Sequence, residues 1–161
     1  MLELAIKQNK FLLGYTDGLV RDVADERFTE QPLPKVNHPA WILGHLAYAG
    51  DGCVGLLGGD KTLSPEWLEL FKGGTSLTDV RSNYPSKDEL LASLRKRYET
   101  AQALAERITP EQAMAPNGHA RLKESMPQVQ DLASFLLTGH FAVHLGQLSM
   151  WRRMIGLPPM F

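Results

Sequence analysis

Cysteine is almost absent from this 161-residue chain, with Cys53 its single example. One thiol excludes an intramolecular disulfide, so the fold does not depend on an oxidising compartment. Cys53 sits in an apolar run with no Lys or Arg within several residues to favour the thiolate. It is therefore expected to be a small core residue rather than a nucleophile. An excess of either charge is also missing: the net charge is −1, with Lys and Arg mixed among Asp and Glu. Such a balance offers no field to nucleic acid or an anionic membrane. The densest basic spot, "LRKRYE" at residues 94–99, reads as the solvated face of a helix. No apolar run reaches the roughly 18 residues of a membrane span. The opening "MLELAIKQNKFLLGY" lacks the basic start and apolar block of a signal peptide, and a cytoplasmic protein is expected. Alternating strand patterns, internal repeats and low-complexity tracts are missing too.

What is there is helical. With 43% hydrophobic and 22% charged residues, the chain has the balance of a globular protein. Its length predicts a single domain over residues 1–161. Residues 2–23 place Leu2, Ala5, Leu12, Leu19 and Val23 near one stripe, with Ile6, Leu13 and Val20 beside it. Two prolines keep residues 28–37 extended as a connector. Asn37 is a good N-cap and Pro39 suits the first turn of the next helix. That helix, residues 38–59, is apolar almost all round, as expected of one buried on several sides. Its glycines at 44, 50, 52 and 55 permit close approach of a neighbour.

Ser64-Pro65 opens a short helix that Gly73-Gly74 ends, and "SKDE" at 86–89 is a capping box. The helix it starts carries Leu94, Tyr98, Ala101, Ala105 and Ile108 at seam spacing. "TPEQ" at 109–112 is a second capping box, and residues 115–128 form a loop rich in turn residues. Asp131 is the expected cap of one last long helix, ending at Gly156 with Pro158-Pro159 beyond. The fold class is all-α: a four-helix bundle with a loop and short-helix insertion between its second and third helices.

Five histidines carry the chemistry: His38, His45, His119, His140 and His144. At about 100° per residue, His140 and His144 lie about 40° apart and one turn apart in height, as in zinc helices of the H-E-x-x-H type. Here the intervening residues are Phe141, Ala142 and Val143, so no glutamate base accompanies the pair. A catalytic zinc usually has three protein ligands. His45, mid-helix among apolar residues, is the candidate third, because a buried imidazole needs a partner. The pattern alone leaves two readings, one metal site or three core histidines without metal.

Neighbouring residues follow from helical geometry. Gln147 falls near the His140 face, about one turn past His144, placed to orient a ligand or to serve as an ordinary amide. His38, seven residues before His45, points the same way roughly 10 Å off. It is too far for the same ion and suits a pocket rim or a solvent-facing helix start. Asp51 lies well round the helix and has no assigned role, while His119 is expected in solvent. Met150, Trp151 and Met154 read as core or interface.

"NHPAWILGHLAY" together with "TGHFAVHLGQLSMWRRMIGLPP" resembles the DinB-like (DinB/YfiT) superfamily of metal-binding four-helix bundles. Trp41 and His45 match the family's W-x-x-x-H-like stretch. His140, His144, Gly146 and Gln147 match its H-x-x-x-H-x-G-Q, and Arg153, Gly156 and Leu157 match its tail. Residues 61–130 carry no matching motif. The resemblance implies that His45, His140 and His144 hold a divalent ion, commonly zinc or nickel. It implies a small-molecule substrate and a homodimer. Characterised relatives include S-transferases that use low-molecular-weight thiols such as bacillithiol, and mycothiol-dependent maleylpyruvate isomerase; others are described as metal-dependent hydrolases.

An ion with an open position lowers the pKa of a thiol or of water. A hydrolase benefits from a nearby carboxylate base. The helical neighbours of the three histidines offer none: Tyr48, Ala49, Phe141 and Val143 stand there instead. That tilts the expectation toward a thiol-dependent S-transferase. A metal-dependent hydrolase and a non-catalytic metal- or ligand-binding stress-response module are the alternatives.

Overall fold

The computed structural model describes residues 2–160, whose regular structure is helical, joined by turns and irregular loops with one isolated bridge. The elements run α1 (Glu3–Val20), a 3₁₀ turn (Asp25–Thr29), α2 (Pro39–Leu56), α3 (Pro65–Phe71), a second 3₁₀ turn (Arg81–Asn83), α4 (Lys87–Arg107), α5 (Pro110–Met114), α6 (Val129–Leu137) and α7 (Gly139–Met154). Four rods make the bundle: α1, α2, α4, and α6 with α7 end to end. Around the ring, α1 packs on α4 and α7, while α2 packs on α4 and on the α6–α7 rod.

Burial follows the apolar stripes. Leu94, Tyr98, Ala101 and Ala105 of α4 are buried along one line, and α2 is buried on nearly every face. Gly50 is what lets α4 approach: a Cβ there would stand 2.9 Å from the Tyr98 ring. Among the described residues, no helix is long and apolar enough to cross a membrane.

Four expectations are corrected. The first helix stops at Val20 rather than residue 23, and the connector holds a 3₁₀ turn whose Phe28 is fully buried. The cap of α2 is His38 rather than Asn37: the Trp41 N–H donates to His38 Nδ1 at 3.2 Å. The last long helix is broken at Thr138, whose φ of −125° and ψ of −76° leave the helical region. The N-cap of α6 is Gln128 rather than Asp131, which stands in the first turn and accepts from the Gln128 N–H at 3.0 Å.

The Ser86–Glu89 and Thr109–Gln112 boxes form as read. Helix α7 ends at Met154, and Gly156 just beyond it takes a φ of 83°. There Leu157 N–H reaches Arg152 C=O and Gly156 N–H reaches Arg153 C=O, a Schellman stop.

Candidate metal centre

The close approach of α3 to α2 builds one wall of the site. A Cβ at Gly44 would collide with the Phe71 ring, so only glycine lets α3 lie against α2 there. Trp67 Nε1 donates to the Gly44 carbonyl at 3.1 Å and pins the contact. The last residue of α3 then faces the helix with its backbone: His45 Nδ1 donates to the Phe71 carbonyl at 2.7 Å. An imidazole whose Nδ1 carries the proton keeps its Nε2 lone pair free. Trp41, one turn earlier, stacks on the His45 ring at 4.6 Å, and its Nε1 donates to Thr75 Oγ1 at 2.8 Å. The insertion therefore shapes the site through Trp67, Phe71 and Thr75.

The opposite wall is α7. His144 Nδ1 donates to Gln147 Oε1 at 3.2 Å, and Asn37 Nδ2 donates to the same oxygen at 3.0 Å. Gln147 thus orients His144 and is itself held by the connector before α2. His140 differs: its Nδ1 is buried and has no hydrogen-bond partner.

The three rings converge. Ring centroids stand 4.7 Å apart for His140–His144, 4.8 Å for His45–His144 and 5.3 Å for His45–His140. One nitrogen from each lies within 4.8 Å of the others. Histidine binds zinc at about 2.0–2.1 Å, so small side-chain rotations bring all three onto one ion. His45 and His144 are buried, and His140 is half-buried. Burial, with the neighbouring imidazoles, pushes His140 and His144 down to about 4. Burial also lowers His45. Near neutral pH all three are uncharged, which is the metal-binding form. The residues present fit a divalent ion: three neutral donors, two of them fixed through their other nitrogen, and one buried nitrogen of His140 left without a partner.

The other candidates fall elsewhere. His38 is fully buried rather than at a rim or in solvent. Its Nδ1 caps α2, its Nε2 donates to the Thr78 carbonyl at 3.1 Å, and its ring packs edge-on against Tyr84. His119 is exposed in its loop. Cys53 is fully buried and its thiol is pushed up to about 12 by burial, so it is a core residue. Asp51 pairs with Arg97 at 3.3 Å and accepts from the Thr62 N–H. Two supports had no side-chain signature in the sequence. The Phe71 acceptor is a backbone carbonyl, for which the nearest hint was glycine beside His45. The role of Asn37 was hidden by its fitness as a cap.

An all-helical bundle with three histidines brought together from its second and last rods fits the class of helical metal-binding proteins. The chain belongs to the DinB superfamily, whose family model matches residues 10–148. A comparison with curated proteins finds no match.

Proposed function

We propose that the protein is a metal-dependent S-transferase that joins a low-molecular-weight thiol to a small electrophile, with His45, His140 and His144 holding zinc or nickel. The observation that carries this reading is a donor set made of three neutral imidazoles with no carboxylate among them. Such a set leaves the charge of a divalent ion intact, and the chemistry the ion supplies is to lower the pKa of a thiol that binds it.

The chain's own residues do the rest. The Phe71 carbonyl and Gln147 hold His45 and His144 with Nε2 free. Trp41 and Tyr48 stack on His45, and Phe135 packs edge-on against His140. These rings give the site apolar walls that keep water from competing with sulfur. In the transfer, the S–C bond forms as the bond from carbon to the leaving group breaks. The thiol proton goes to solvent and the leaving group departs with the bonding pair. The partner expectations belong to the same proposal: a small-molecule substrate, no nucleic acid or membrane, a cytoplasmic setting, and a homodimer. Leu4, Phe11, Val143 and Met150, exposed on the adjacent helices α1 and α7, favour the dimer.

The test loads purified protein with zinc or nickel and offers a panel of low-molecular-weight thiols with a chlorodinitroarene. Ester and amide hydrolysis are assayed in parallel. Thioether formation that disappears in His144→Ala is the expected result. Hydrolysis without transfer establishes the hydrolase, and metal binding without either turnover establishes a binding module.

A further inference from the structure

The break between α6 and α7 lies two residues before His140, and it is held from across the bundle. In a continuous helix the carbonyls of Leu136 and Leu137 would accept from the N–H groups of His140 and Phe141. Here they do not. The Leu136 carbonyl accepts from the Tyr98 hydroxyl at 3.3 Å, and the Leu137 carbonyl accepts from Asn9 Nδ2 at 2.6 Å. Asn9 is in turn fixed by Gln102, whose Nε2 donates to Asn9 Oδ1 at 2.7 Å. Asn9 and Gln102 are both buried polar side chains in an apolar bundle core. Buried amides of this kind are costly unless satisfied, and these spend their hydrogen bonds on the helix break.

Tyr98 also grips the far side of the break. Its ring stands edge-on to Phe141, the neighbour of His140, at 4.7 Å. The first turn of α7 is therefore positioned from both α1 and α4. Unlike His45 and His144, His140 has no hydrogen bond on its Nδ1. With no hydrogen bond to turn the ring, its direction is set by backbone placement and by packing against Phe135 on the other side of the break.

We propose that Asn9, held by Gln102 and assisted by Tyr98, is a positioning residue for the metal site: it fixes the Leu137–Thr138 break so that His140 meets His45 and His144. A continuous helix would change the rotation of His140 relative to α6 and take its ring out of register with α2. The assignment rests on the three-histidine metal reading for its affinity readout, but not for its spectroscopic one.

The test compares wild type, Asn9→Leu, Gln102→Met and the double variant Asn9→Gln/Gln102→Asn, which keeps the combined reach of the two amides. Zinc affinity is measured by competition with a chelating dye. Histidine ring resonances are recorded in zinc-free protein. In Asn9→Leu, zinc affinity is expected to fall at least about tenfold, the range found for residues that orient ligands. In zinc-free protein the His140 ring signals should move while those of His45 stay, and the double variant should recover most of both. Gln102→Met is the milder change and carries the test if Asn9→Leu does not fold.

A folded variant with unchanged His140 signals and zinc affinity within about twofold of wild type overturns the proposal, even if its melting temperature falls; the melting change alone is what a merely structural pair would give. If wild type binds no zinc, the metal reading fails, and the ring signals alone decide whether Asn9 sets His140.

Discussion

His45 donates from Nδ1 to the carbonyl of Phe71 at 2.7 Å, a bond between residues 26 apart in the chain. The contact exists because Gly44 has no side chain to hold the Phe71 ring away. Gly44→Ala should therefore act on the fold and on the site together. Overpacking of this kind costs about 1–3 kcal/mol, read as a lower urea midpoint. Zinc affinity should fall as well, because His45 loses the acceptor that fixes its tautomer. Normal zinc affinity in a destabilised variant would show that the Phe71 carbonyl does not orient His45.

Metal content gives the most direct check of the three-histidine site. Protein purified without added metal or a histidine tag should carry about one zinc or nickel per chain. His45→Ala and His144→Ala should carry little. Retained metal in both variants would place the ion elsewhere.

Gln147 and Asn37 should grade in their effects. Gln147→Leu removes the acceptor from His144 Nδ1 and should weaken zinc binding by about 10–100-fold. Asn37→Ala leaves Gln147 in place but loosens it, so its loss should be smaller. Chelator competition on both variants reads the order, and a larger loss for Asn37→Ala would reverse the direction of support drawn between them.

His38 supplies the pH dependence least entangled with metal. Burial lowers it from 6.5 to about 4, and its neutral form is required because Nδ1 accepts from the Trp41 N–H while Nε2 donates to Thr78. In the unfolded chain it protonates near 6.5, so between about 6.5 and 4 the unfolded state binds the extra proton. The stability due to neutral His38 is present above that window and is lost as pH falls through it. The shift corresponds to about 3 kcal/mol. Zinc-free wild type should lose more stability than zinc-free His38→Asn between about pH 7 and pH 4.5, measured by urea unfolding. Equal losses would mean that His38 is not held neutral.

The legible parts of the molecule were the local ones. The i, i+4 spacing of His140 and His144 reads directly from helical periodicity, because it needs no other part of the chain. The same holds for the Ser86 and Thr109 boxes and the stop at Gly156, each settled within a few residues. His45 could be suspected from its apolar surroundings, since a buried imidazole demands a partner.

Where side chains had a choice between a local and a distant partner, local rules misled. Asn37 is the better intrinsic cap, yet its amide goes to Gln147, which lies 110 positions away, and His38 takes the cap. The single apolar run before His140 predicts one helix, yet Asn9 and Tyr98 supply the bonds that let it break.

By itself, then, the sequence determined four helical rods, the boxes at Ser86 and Thr109, the stop at Gly156 and the shared face of His140 and His144, because periodicity and capping depend on neighbours in the chain. Tertiary structure alone decided which nitrogen of His45 and of His144 is free and where His140 points. Those depend on the Phe71 carbonyl, Gln147 and Asn9, groups brought together only when separate helices pack and every buried donor and acceptor must find a partner.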